Sequence, residues 1–114
     1  INDTFGHQFG DVVLMLLSNL IKKSLRKRDF VFRWGGEEFL ILMKDIDVSV
    51  AFNILDKLRT KLESENLAVG DNILKITVTI GVCSLDIHDM EQSIYECDHL
   101  MYKGKISGKN KVVM

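Results

Sequence analysis

Apolar residues return along the chain at two spacings, and each change of spacing marks a new element. Val12, Val13, Leu16, Leu17, Leu20 and Ile21 recur at helical spacing. They predict a helix that follows Gly10-Asp11, with Asp11 as its N-cap. Lys22, Lys23, Arg26, Lys27 and Arg28 crowd its far end, where cations suit the helix dipole. The period then drops to two. Phe30, Phe32 and Trp34 alternate with Val31 and Arg33, Gly35-Gly36 supplies a positive-φ turn, and residues 39–43 run back as a second strand.

Further on, Ile54, Leu55, Leu58 and Leu62 form the apolar stripe of a helix over residues 50–64. A long strand is predicted over 74–85, with Ile76, Val78, Ile80 and Val82 on one face against Thr77 and Thr79. A third helix over 91–105 and a short strand over 111–114 close the chain. The mixture specifies an α/β (α+β) class: a mixed, partly antiparallel central sheet flanked by helices. Without prolines, low-complexity tracts or repeats, residues 1–114 read as a single domain.

Composition narrows the function without naming it. The formal net charge of -1 leaves no global basic field for bulk DNA or RNA binding, so nucleotide recognition must be local. The apolar runs at 12–17 and 39–43 are far short of the roughly 20 residues that span a membrane. Membrane contact by this domain is therefore not expected. Cys83 and Cys97 lack metal-ligand spacing and read as reduced thiols of a cytoplasmic domain, either free-standing or the cytoplasmic part of a membrane-anchored parent.

The densest chemistry lies at the hairpin tip. Glu37 and Glu38 follow Gly35-Gly36 directly. Side-chain-free glycines admit a bulky ligand to the backbone, and a hard carboxylate oxygen beside that opening suits Mg²⁺ held on nucleotide phosphates. The plain alternative is a solvated turn with two acids. Likewise, Asp11 reads as a cap, Asn2 as a turn residue, and the lysines of 103–111 as a solvated helix end.

The run Gly35-Gly36-Glu37-Glu38-Phe39 resembles the signature of the GGDEF diguanylate cyclase family in its GGEEF form. Three further motifs resemble that family in order and spacing. They are Asn2-Asp3-Thr4-Phe5-Gly6-His7 with Gly10-Asp11, Thr79-Ile80-Gly81-Val82, and Asp98, Tyr102 and Lys105 with Gly108-Lys109-Asn110. The resemblance covers essentially the whole chain. It implies a fold similar to the nucleotide cyclase and polymerase palm domains. It also implies condensation of two GTP into cyclic di-GMP with release of two pyrophosphates, by two domains facing each other as a homodimer. Mg²⁺ or Mn²⁺ is the implied cofactor.

Carried over by position, Glu37 is the metal-ligand carboxylate, Glu38 a second acid, and Gly35 and Gly36 the catalytic turn. Asn2 and Asp11 read guanine, and Lys105 and Lys109 grip the terminal phosphates. Many members have Arg where Lys109 stands, so a point charge replaces a bidentate fork. Arg26 and Asp29 make the RxxD pattern of the family's inhibitory site for cyclic di-GMP. The family's first metal-binding Asp and its phosphate loop precede the Asn-Asp segment. The resemblance therefore implies that these 114 residues lack the first strand and are inactive alone, with a sensor or regulatory domain upstream in the parent. Two other readings stay open: a silent cyclic di-GMP receptor, and a purine cyclase or polymerase palm relative.

Overall fold

The computed structural model describes residues 7–114. In chain order the elements are α1 (His7–Ser24), β1 (Phe30–Gly35), β2 (Glu38–Leu42), α2 (Val48–Ser64), β3 (Leu67–Val69), β4 (Asn72–Leu74), β5 (Thr79–Gly81), α3 (Met90–Ile106) and β6 (Lys111–Val113). β1–β2 and β3–β4 pair antiparallel, and β5–β6 pair parallel. The class is mixed α+β, with both strand orientations present. No helix among the described residues is long and apolar enough to cross a membrane.

Contacts divide the chain into two units, each with its own interior. One runs up to Lys44 and includes Glu65–Ile76; the other joins Asp45–Ser64 to Thr77–Met114. In the first unit, α1 buries Val13, Leu14, Leu17 and Ile21. Val13 forms a cluster with Leu67 and Ile76, flanked by Leu20, Val69 and Leu74. Burying each such aliphatic side chain contributes about 1.5–3 kcal/mol, which holds the short β3–β4 hairpin on the helix.

α1 begins earlier than its apolar pattern predicts. Gly10 lies one turn ahead of Val13 and Leu14 on the same face and is buried, so packing overrides a glycine penalty of about 1 kcal/mol. Asp11 is consequently an interior helix residue and not the N-cap. Val12 is exposed at 39%, and Leu14 takes its place in the stripe.

The long strand predicted over 74–85 is broken up. Gly70 at φ +60 and Asp71 form the turn of the β3–β4 hairpin, and Ile76 joins the first unit's core. Only Thr79–Gly81 pairs with β6, extended by the Val82 amide donating to the Val113 carbonyl at 2.9 Å. A strand lasts only as long as it has a partner, and the two halves of this segment have different ones.

In the second unit α2 buries Ala51, Leu55, Leu58 and Leu62, close to the predicted stripe. α3 starts at Asp89, whose carboxylate accepts from the Gln92 amide at 3.1 Å. Gly81 fixes how β5 meets α3. A Cβ there would lie 2.2 Å from the Cys97 carbonyl oxygen and 2.6 Å from the Met101 nitrogen. Only a residue without a side chain permits that approach.

Candidate active site

The β1–β2 hairpin is built as its alternation predicts, but with an irregularity next to the tip. Register runs Phe30↔Leu42 through Arg33↔Phe39, then shifts to Gly35↔Glu38, leaving Trp34 as the bulged residue. A bulge sharpens the local twist and re-aims the end of the ribbon. The loop itself is Gly36-Glu37 and not the expected Gly35-Gly36: Gly35 ends β1, and of the two only Gly36 has positive φ, at +51. A two-residue turn of this hand matches the twist of the flanking strands. Glu37 therefore stands in the turn, exposed, while Glu38 is the first residue of β2 and half-buried.

Arg33 organises this tip, a role that the alternating pattern did not disclose. Its Nε and Nη2 donate to the Gly36 carbonyl at 3.1 and 2.9 Å. Its Nη2 also lies 3.5 Å from Oδ1 of Asp11, whose side chain is 67% exposed. The first unit thus brings Asp11, on α1, to the hairpin turn through one guanidinium. The signal in the sequence was a strand arginine set between two exposed aromatics, Phe32 and Trp34, just ahead of the glycine pair. Asn2, the other residue assigned to guanine, lies outside the described residues.

Among the described residues Glu37 has no hydrogen-bond or ion-pair partner, and no three His, Cys, Asp or Glu side chains cluster as a metal cage. A single open carboxylate is nevertheless the ligand type that suits Mg²⁺ shared with substrate phosphates. That ion keeps much of its water shell and takes only one or two carboxylates from protein. The donor present fits the ion.

Asp29, at the other end of β1, is placed very differently. Its side chain is 0% exposed and forms an ion pair with Arg26 at 2.7 Å. Arg26 Nε reaches both carboxylate oxygens at 3.1 and 3.2 Å, and its backbone amide donates to Oδ2 at 2.8 Å. Arg26 Nη2 also donates to the Lys44 carbonyl at 2.8 Å. Burial by itself would raise the Asp29 pKa. The hydrogen bonds and charge of Arg26, with help from Arg28, outweigh it and hold the carboxyl below its usual 3.8. A depression of about 300 Å³ beside the pair is lined by Lys22, Leu25, Lys27, Phe30 and Val31.

Residues 1–111 match the family described as "Diguanylate cyclase, GGDEF domain". The chain belongs to the GGDEF diguanylate cyclase family. It is 31% identical over 116 residues to diguanylate cyclase A of Treponema denticola, covering 100% of this chain and 31% of that protein. The chain thus spans about a third of that curated relative. Among solved structures, the GGDEF domain of DgcB from Caulobacter crescentus, in complex with c-di-GMP, superposes with a TM-score of 0.86 at 28% identity. The match covers 98% of this chain and 68% of that one. The active GGEEF domain of a diguanylate cyclase from Vibrio cholerae gives a TM-score of 0.74 at 28% identity, covering 99% and 72%.

The remaining residues singled out in the sequence belong to the second unit. Lys105 is exposed in the last turn of α3. Lys109 follows Gly108 in a turn where Lys109 and Asn110 both have positive φ, +61 and +49. Non-glycine residues held in that region cost about 1–2 kcal/mol each and cluster at functional sites. The turn is pinned on several sides. The Lys109 amide donates to Gly104 O at 2.9 Å, and the Asn110 amide to Thr79 Oγ1 at 3.1 Å. Arg59 Nη1 donates to Asn110 Oδ1 at 3.0 Å, and Asn110 Nδ2 donates to Glu63. Lys111 is committed to the Ser107 carbonyl at 2.7 Å. The side chains of Lys105 and Lys109 have no such bond among the described residues.

Proposed function

We propose that the intact protein is a diguanylate cyclase that condenses two GTP into cyclic di-GMP and two pyrophosphates, with the hairpin tip as its phosphate-handling element. The observation that carries this is the tip itself: an open Glu37 in a two-residue turn, with Asp11 joined to that turn by Arg33. Mg²⁺ or Mn²⁺, held by Glu37 on the nucleotide phosphates, would neutralise charge as pyrophosphate departs. Gly35 and Gly36 leave the backbone open to the phosphates. Glu38 stands next to the tip as a second acid that assists the attacking 3′-hydroxyl.

Asp11, with Asn2, reads guanine. An ionised carboxylate accepts from both N1–H and the exocyclic amine, a pair of donors that adenine lacks. Its exposure leaves it available to a base, and Arg33 orients it without burying it. Lys105 and Lys109 supply point charges to the terminal phosphates. Two domains face each other as a homodimer, so that the 3′-hydroxyl of one GTP attacks the α-phosphorus of the other and pyrophosphate leaves in line.

Arg26 and Asp29 bind cyclic di-GMP as an inhibitory site. A guanine edge that donates to Asp29 must replace Arg26 on one carboxylate oxygen, which frees the guanidinium to pair with or stack on the base. The test is turnover by the intact protein with GTP and with ATP. Conversion of GTP alone, abolished by Asp11→Ala, supports the reading. Equal use of ATP contradicts it.

A further inference from the structure

Cys83 and Cys97 are far apart in sequence and were expected to have no chemical role, yet the second unit places their sulphurs 3.0 Å apart. The fold explains why. Residues 79, 81 and 83 share one side of the β5 segment, and at Gly81 that side touches the α3 backbone at Cys97 and Met101. Cys83 therefore faces the same stretch of helix. Its Sγ donates to the Ser93 carbonyl at 3.3 Å. Either thiol can supply the proton of the sulphur–sulphur contact. Both thiols are free and half-buried.

We propose that Cys83 and Cys97 are a dithiol modification site that closes to an intramolecular disulfide when a small-molecule disulfide is the oxidant. Bonding requires the sulphurs to approach by about 1 Å, to roughly 2.05 Å. The Cys83 thiolate attacks one sulphur of the small disulfide, breaking its S–S bond and releasing one thiol. The Cys97 sulphur, on losing its proton, displaces the second small thiol from Cys83. Two protein thiols become one disulfide, and one small disulfide becomes two thiols. While both thiols are free, burial and the hydrogen bond to Cys83 push the Cys97 thiol up to about 12. The bond ties the end of β5 to the middle of the helix that carries Lys105.

The test is equilibration of the unaltered chain in reduced and oxidised glutathione, with and without urea, followed by acid quench and peptide mass mapping. The expected result is a Cys83–Cys97 cross-linked peptide, with loss of two hydrogens from the intact mass. The folded chain should have an equilibrium constant for closure at least about tenfold above the urea-unfolded chain. Cys83→Ser and Cys97→Ser should each give a glutathione adduct on the remaining thiol. Adducts on both cysteines of the folded, unaltered chain, an intermolecular dimer, or closure no more favourable than in urea would each overturn the proposal.

Discussion

The two ends of β1 carry acids that the fold treats in opposite ways. Asp29 enters the strand with 0% of its side chain exposed and both oxygens taken by Arg26. Glu37 leaves it in an open turn, without a partner among the described residues. The first is a structural ion pair before it can be a ligand-binding one. The second is committed to nothing and adds little to stability. Sequence motifs name both as ligand groups, but only one is poised for a ligand without rearrangement.

Stability measurements should separate them. Asp29→Ala removes the buried carboxylate that accepts from the Arg26 guanidinium and backbone amide, and should cost about 2–3 kcal/mol by denaturant unfolding. Glu37→Ala should stay within about 0.5 kcal/mol. Equal losses would erase the contrast. Acid sharpens it further. Since the folded-state pKa of Asp29 lies below the usual 3.8, its contribution is complete above that value. It is lost as pH falls through the folded-state pKa. The gap between the unaltered chain and Asp29→Ala should therefore be full at pH 7 and shrink below about pH 4.

Gly36→Ala places a β-carbon at φ +51 and should destabilise by about 1 kcal/mol, with a larger loss of activity. Arg33→Ala should cost under about 1 kcal/mol of stability, because its pair with Asp11 is exposed. It should nonetheless lower kcat/KM for GTP about tenfold by releasing Asp11 from the tip. Unchanged kinetics would mean that Arg33 braces the hairpin and nothing more.

Much of this was legible in the residues. The hairpin announced itself by alternation and glycines, and the leucines of α2 by their spacing. What escaped depended on partners distant in sequence. α1 runs through Gly10 because that face is buried, which no local preference reveals and which removes Asp11 from the cap. The strand over 74–85 splits because Ile76 and Thr79 serve different units. The Arg33–Asp11 pair and the Cys83–Cys97 contact are invisible to spacing, since each is made by chain segments that only the fold brings together.

The most direct test of the central claim is cyclic di-GMP formation from GTP and Mg²⁺ by the intact protein and its Glu37→Gln variant, with unfolding followed in parallel. The expected result is a loss of about 100-fold or more in turnover with stability unchanged. Turnover at the unaltered level in a folded Glu37→Gln protein would contradict it.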